Sequence, residues 1–278
     1  MNPDRILAKA EAWKRKAHRL SLNLRLKSVA EAGSFLREHS VVLWNAKAEL
    51  PNLLDAIIGR VANGQERVYG KPAENCYRWR EQIMKNSEFL ECRFFCKLST
   101  VLYQDLWPYV TVFARANRKK AEESKIKEVR RIIAFLSREG PTRTDHLRKA
   151  LRLQSPEQGR VFHRAKRELQ NRLVLLGRED EDSKVHTHAE VLDFWENCMP
   201  KSVRIKADQI DESTCSLKLL STTLQSCVLS SEKRISNWFA WTDSGFKDAL
   251  ERLVQRKDFV RVPHKRDLWI IPRKIIQS

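Results

Sequence analysis

The sequence predicts a mainly α fold with small β-hairpins. Three observations carry this. Only 8 Gly stand against 53 Lys+Arg in 278 residues, too few for an all-β sandwich or a large nucleotide-binding α/β sheet, both of which need glycine turns. Apolar residues recur at steps of three and four over most segments, the mark of one buried helical face. Short β-prone runs follow the last helix of two later stretches, as a hairpin would. Hydrophobic residues make up 42% and charged residues 32%, so the chain can build real cores and wholesale disorder is excluded.

In order along the chain, Ile6, Ala10, Trp13, Ala17 and Leu20 form one stripe of a helix over 4–20, with Lys9, Lys14, Arg15, Lys16 and Arg19 on its other face. Leu22, Leu24 and Leu26 alternate with polar residues and read as a short strand. Ser28 is placed to cap a helix over 29–39, with Glu31 as the capping-box acid. Val41–Trp44 is β-prone. Pro51 suits the first turn of a helix carrying Leu53, Leu54, Ile57 and Ile58. Asn63–Gln65 and Gly70–Pro72 are turn signals. Tyr77–Met84 reads as helix, and Pro108 breaks the apolar run Cys92–Leu106. Ala114–Arg131 holds eight Lys/Arg and three Glu, a solvated helix or linker where a domain boundary falls.

Two later segments share one plan. In the first, Ile126, Val129, Ile133 and Leu136 mark a helix. Gly140–Pro141 turns the chain, Thr144–Leu151 is a second helix, and Pro156–Leu173 a third. A strand Leu173–Leu176, an acidic loop Glu179–Asp182 and a strand near Val185–Thr187 then make a hairpin. In the second, Leu217, Leu220, Leu224 and Val228 mark a helix, Ser230–Phe239 is a short one, and Thr242 caps a third to about Lys257. The runs Phe259–Val262 and Leu268–Ile271, joined by Pro263–Asp267, close it. Three helices and a hairpin give the order of a winged helix-turn-helix. The expected organisation is tandem winged helix-turn-helix units: an N-terminal winged-helix-like domain over 1–115, a second winged helix over 116–205 and a C-terminal one over 206–278.

The net charge is +18, a statement about partners rather than about fold. Nucleic acid and anionic membrane surfaces are the usual counterparts. No apolar run reaches the roughly 18 residues a spanning helix needs, and charges interrupt Met1–Leu20, so no export signal is expected. The six cysteines, Cys76, Cys92, Cys96, Cys198, Cys215 and Cys227, match no compact disulfide framework, and reduced thiols in a cytoplasmic, nucleoid-associated protein are the expectation.

The helix over 156–173 carries the most chemistry. Phe162, Ala165, Leu169 and Leu173 form its apolar stripe. Arg160, Arg164, Arg167 and Asn171, at steps of four, three and four, fall on another face, flanked by His163, Lys166, Gln170 and Arg172. A helix fits the major groove, where Arg, Asn and Gln pair with base edges, and arginines neutralise phosphates. In the last unit, Lys247, Arg252, Arg256 and Lys257 lie on the third helix, diluted by Asp248 and Glu251. Lys265 and Arg266 sit at the hairpin tip. The aromatics Phe89, Phe94, Phe95, Tyr103, Trp107, Tyr109 and Phe113 read as core before they read as stacking platforms for bases. Cys92 and Cys96 are four apart and His186 and His188 two apart, which is no zinc spacing, so no metal is expected. The acidic run at 179–182 is a solvated loop. Neither a nucleophile elbow nor a phosphate loop is present, and no cofactor is expected.

The pieces LNLRLKSVAEAGSFLREHSVVLWNAKAELPNLLDAIIG, RWREQIMKNSEFLECRFFCKLSTVLYQDLWPYVTVFA and FHRAKRELQNRLVLLG together resemble the AlkZ (YcaQ-type) winged-helix DNA glycosylase superfamily, and within it the AlkZ-related branch. The resemblance runs through most of the chain. It implies tandem winged helices forming a DNA-binding channel, and monofunctional glycosylases that remove alkylated or crosslinked purines. The family's catalytic signature, Gln-x-Gln or Gln-x-Asp on an early strand, would fall on Val41–Asn45. That stretch holds neither Gln nor carboxylate. Asn45 is its only polar candidate, and an amide is not a general base, so the chemistry would need another carboxylate such as Glu49 or Asp55. The expected function is therefore a monomeric DNA-binding protein linked to DNA repair or DNA-structure recognition, without an evident catalytic motif. A divergent DNA glycosylase is the alternative, and a winged-helix transcriptional regulator the second.

Overall fold

A computed structural model describes residues 2–179, 190–239 and 243–277. The chain divides into two compact units, one formed by 1–107 with 213–278 and the other by 108–212. Its elements are helices with three small three-stranded antiparallel sheets, the mainly α fold with small hairpins that the sequence predicts.

The first unit begins with α1 (Pro3–Ala17), capped by the Asn2 side chain on Asp4 N. Next come α2 (Val29–His39), β1 (Val41–Leu43), α3 (Leu53–Ile58), α4 (Lys71–Met84), β2 (Phe89–Cys92) and β3 (Thr100–Tyr103). Strand β3 lies between β1 and β2. Ser28 caps α2 as expected, but the Glu31 carboxylate reaches Lys27 N rather than the cap amide. Phe35, Leu36, Val42, Leu53, Leu54 and Val101 bury the face where these elements meet.

Several local expectations are corrected here. Residues 22–26 form a turn, not a strand: Leu24 N bonds Ser21 O, Leu22 is exposed and only Leu26 is buried. Pro51 precedes α3 instead of sitting in its first turn, because Asn52 is the cap, accepting from Asp55 N. Pro108 ends the apolar run by opening the next helix. It lies at the second residue of α5 (Trp107–Glu122), where a missing N–H costs nothing.

The second unit continues from α5 with α6 (Lys127–Glu139), β4 (Thr142–Arg143), α7 (Thr144–Ala150), α8 (Pro156–Asn171), β5 (Leu175–Glu179), β6 (Glu190–Phe194) and α9 (Lys201–Asp208). Its strand order, β4-β6-β5, repeats that of the first sheet. Ser155 and Gln158 form a complete capping box at the start of α8, with Pro156 behind the cap. Phe162, Ala165 and Leu169 are buried against Ile132, Ile133, Leu136 and Phe194 among others, while Leu173, also buried, lies just beyond the helix end at Asn171. Trp195 Nε1 donates to Thr111 Oγ1 at 3.0 Å, and Asn117 Nδ2 to Arg172 O at 2.9 Å, tying α5 to this core. The expected loop and strand over 180–187 lie outside the described residues. The strand that pairs with β5 is 190–194.

The rest of the first unit comprises α10 (Glu212–Cys227), β7 (Ser230–Ser231), α11 (Glu232–Ile235), α12 (Asp243–Gln255), β8 (Phe259–His264), β9 (Asp267–Pro272) and α13 (Arg273–Gln277), with sheet order β7-β9-β8. The run 230–239 opens as a strand before its single helical turn. The Thr242 cap lies outside the described residues. β8 extends through Pro263 to His264, so only Lys265 and Arg266 turn the hairpin. A proline is tolerated there because β8 is an edge strand. Helix α1 completes this core: Ala10 packs with Val228, Val262, Ile271 and Ile275. Phe94 and Phe95 meet Phe239 and Trp238, with ring centroids 4.7 and 5.2 Å apart, and Cys96 N donates to Trp238 O at 2.8 Å.

Each sheet thus belongs to a module of order helix, strand, helix, helix, strand, strand, with the last strand central.

Candidate nucleic-acid interface

The third helix of the second module carries a row of exposed positive charge. Its buried stripe fixes which face turns outward. A shallow groove on that face is lined by Arg160, His163, Arg164, Arg167, Glu168 and Asn171, so all four residues singled out on this helix border one surface. Arg160, Arg164 and Arg167 are exposed and pair with no carboxylate among the described residues. Glu168, the acid among the described lining residues, is bound to Arg172 at 2.6 Å. Burial, then the cations Lys166, Arg148 and Arg167, depress the His163 pKa, as expected inside a positive field.

The flanking residues divide. Lys166 pairs with Glu190 on β6 at 2.8 Å, and Gln170 Nε2 donates to the same carboxylate at 3.3 Å. Both hold the helix on its sheet and are not free to read a ligand. The Asn171 Oδ1 atom is buried without a partner among the described residues, so this amide turns its oxygen inward at the rim of the groove.

In the first unit, Lys247 and Arg252 are exposed on α12, and Arg252 Nη1 donates to Ser213 Oγ. Arg256 and Lys257 lie beyond the last helical residue, Gln255, with Lys257 at φ 61°. Glu251 does not dilute this charge, because Arg261 bridges it at 2.6 Å and Glu232 at 3.0 Å. Lys265, at φ 55°, and Arg266 are exposed at the hairpin tip.

Of the aromatic cluster, Phe89, Phe94, Phe95 and Trp107 are buried in the core. The stretch Val41–Asn45 carries β1 and its exit. Asn45 is occupied: its Nδ2 donates to Arg67 O at 3.2 Å, while Arg67 Nη1 donates to Asn45 O at 2.5 Å. Arg67 also holds Asp55, at 2.9 Å, and burial lifts the Asp55 carboxyl above its ordinary range against the pull of Ala62 N–H and Arg67. Glu49 is paired with Arg234 at 3.1 Å.

One constellation has no counterpart in the sequence reading. A pocket of about 180 Å³ on the α4 side of the first module is lined by Trp44, Asn45, Tyr77, Arg80, Glu91 and Ser99, among others. The adjacent pair Trp44 and Asn45 is visible in the sequence; the partners come from α4, β2 and the turn before β3. Among the described residues no group of His, Cys, Asp and Glu has the arrangement of a metal site, and no helix is long and apolar enough to cross a membrane.

Fold and site define a class: a mainly α protein of repeated three-helix modules carrying an exposed arginine face. The model of the AlkZ-related family matches residues 26–240, and the chain belongs to that family. The match relates it to the glycosylase-like proteins of DNA repair. Neither a curated protein nor a solved structure matches the chain.

Proposed function

We propose that the protein is a DNA-binding protein of the winged-helix type, linked to DNA repair or to recognition of DNA structure, that engages DNA chiefly through its phosphates. The observation that carries this reading is the row Arg160, Arg164 and Arg167. Among the described residues these three guanidiniums have no carboxylate partner, and they share one face of α8, the helix that occupies the groove-reading position in a winged helix-turn-helix. Family membership and the net charge of +18 support it. Lys265 and Arg266 act as a wing tip on the backbone, and Lys247, Arg252 and Arg256 add positive charge to their own unit.

The test is fluorescence anisotropy across a salt series, with undamaged duplex, the same duplex carrying an abasic-site analogue, and a forked duplex. Affinity that falls steeply with salt is expected, since each neutralised phosphate releases counterion. Salt-independent affinity would remove the mechanism. Preference for the abasic or forked probe is the signature of the repair role.

A second reading, a divergent glycosylase, is favoured by one feature: the Glu91 carboxylate borders the same cavity as Asn45. A base-release assay on alkylated duplex tests it, with Glu91→Gln as the variant that should abolish any activity found.

A further inference from the structure

The pocket beside α4 has a chemistry of its own. Its cations are already matched. Arg80 Nη2 is 2.7 Å from Glu91 Oε2, Ser99 Oγ donates to the other Glu91 oxygen, and Arg67 is held by Asp55. A phosphate would have to break these pairs, so the lining suits a neutral occupant that both donates and accepts hydrogen bonds. It is also aromatic. Trp44, 5% exposed, forms part of the wall, and its buried indole Nε1–H has no acceptor among the described residues. Arg80 stacks over its ring at 5.9 Å. Tyr77, 53% exposed, lines the pocket as well, and the neighbouring segment exposes Val68 and Tyr69. The Cys76 thiol in the lining is pushed up to about 12 by burial, so it supplies no nucleophile.

At about 180 Å³ the pocket is smaller than the roughly 300–1,000 Å³ of sites for drug-sized ligands, which limits the occupant to one flat ring system. The helix that walls it, α4, holds in the first module the place that α8 holds in the second. It carries exposed Lys71 and Arg78, neither paired with a described carboxylate. A planar, neutral, hydrogen-bonding ring delivered by a polyanion is a nucleobase.

We propose that this pocket receives one unstacked nucleobase from a nucleic acid lying along α4. Tyr77 and Trp44 supply the stacking surface, and Glu91 accepts from the base edge. The inference rests on the DNA reading above for its polymer and on the pocket for its base.

The experiment uses the full chain and three probes. One is a duplex with a single-nucleotide bulge whose extra base is 2-aminopurine. The second is the same duplex with 2-aminopurine paired in the helix. The third is free 2-aminopurine. The bulged duplex should bind about tenfold tighter than the paired one, the scale of one base–aromatic stack, with a drop in 2-aminopurine emission on binding. In Tyr77→Ala, Trp44→Phe and Glu91→Gln that ratio should fall towards one. Tyr77 is exposed, so its variant keeps the test valid if either of the other two fails to fold. Equal affinity for both duplexes with no emission change would overturn the proposal, as would a ratio that survives Tyr77→Ala. If neither duplex binds, the DNA reading fails and free 2-aminopurine decides the pocket alone: emission quenched at millimolar base supports a heterocycle site, and unchanged emission removes it.

Discussion

The rings of His18 and His39 meet edge to face with centroids 5.8 Å apart, and each places Nε2 against a backbone carbonyl of another element. His18 reaches Ser226 O at 2.8 Å, His39 reaches Ala17 O at 3.0 Å, and Ser226 Oγ returns a hydrogen bond to His39 O. The pair therefore joins the exits of α1 and α2 to α10, and each ring carries a proton on Nε2, where it faces a carbonyl. Burial, then Lys14 and His39, lowers the His18 pKa to about 3. Burial also lowers His39, with Arg19 adding to it and Glu38 and the Ala17 carbonyl opposing it. The sign follows. Below about pH 6.5 an unfolded histidine takes up a proton that the folded ring refuses, so stability is complete above that pH and is lost as pH falls toward 3. The slope is about 1.4 kcal/mol per pH unit for each such group. Denaturant melts at pH 7, 6 and 5 should show this loss. His18→Gln with His39→Gln keeps an N–H donor at each carbonyl and should flatten it. An unchanged pH dependence in the double variant would assign the loss to other groups.

Gly59 closes α3 at φ +81°, and a Cβ added there would lie 2.9 Å from Ser21 O, a backbone atom. The left-handed conformation alone costs an L-residue about 1–2 kcal/mol, and the backbone contact cannot be relieved by turning a side chain. Gly59→Ala should destabilise by more than about 2 kcal/mol. Gly64, where a Cβ would meet nothing within 4 Å, is the control, and Gly64→Ala should leave the melting temperature almost unmoved. Equal melting temperatures for the two variants would contradict the packing of residue 21 on this cap.

The helices that are legible in the sequence are those with a long period and a chemical start signal. Helix α8 is the clearest, because Ser155, Pro156 and Gln158 announce its beginning and Phe162, Ala165 and Leu169 its buried face. Strands β4 and β7 were illegible for the opposite reason: two residues have no period, and they are strands only because β6 and β9 lie beside them. The partner of α1 was equally hidden, since Ala10 packs on residues more than 200 positions away. Pro108 marked an element boundary without showing that a helix opens there, because the same missing N–H both ends one helix and suits the start of the next. On the arginine face the i, i+4, i+7 spacing was enough to bring the side chains together. It could not show that Lys166 and Gln170 are taken by Glu190, nor that the surroundings of Trp44 come from α4 and β2.

Arg67 and Asp55 are 12% and 11% exposed in their side chains, and Arg67 also anchors Asn45 O. Removing one member of such a pair leaves the other charged and buried, which costs about 3–5 kcal/mol. Arg67→Met should fall in that range by chemical denaturation. Asp55→Asn should lose less, because an amide oxygen can still accept from Ala62 N–H, as the carboxylate does at 2.9 Å. A loss in Arg67→Met no greater than that of an exposed arginine, such as Arg78→Met, would show that the pair does not hold the segment between α3 and α4.

The arginines of α8 give the sharpest test of the proposed interface, because the quantity is a slope and not an affinity. Arg160, Arg164 and Arg167 are exposed and make no described ion pair, so replacing them leaves no buried group unsatisfied and should not disturb the Phe162 stripe beneath. If each contacts one phosphate, the triple alanine variant loses about three counterion releases, and the slope of log K against log salt should become shallower by about 2–3. Lys265→Ala with Arg266→Ala should reduce it by up to about 2 for the same reason. The measurement is the affinity for a fixed duplex between 50 and 200 mM salt, alongside thermal melts of each variant. Melts that stay level while the slope flattens place these cations on the phosphate backbone. A slope unchanged in both variants would move the interface off α8 and the β8–β9 tip altogether.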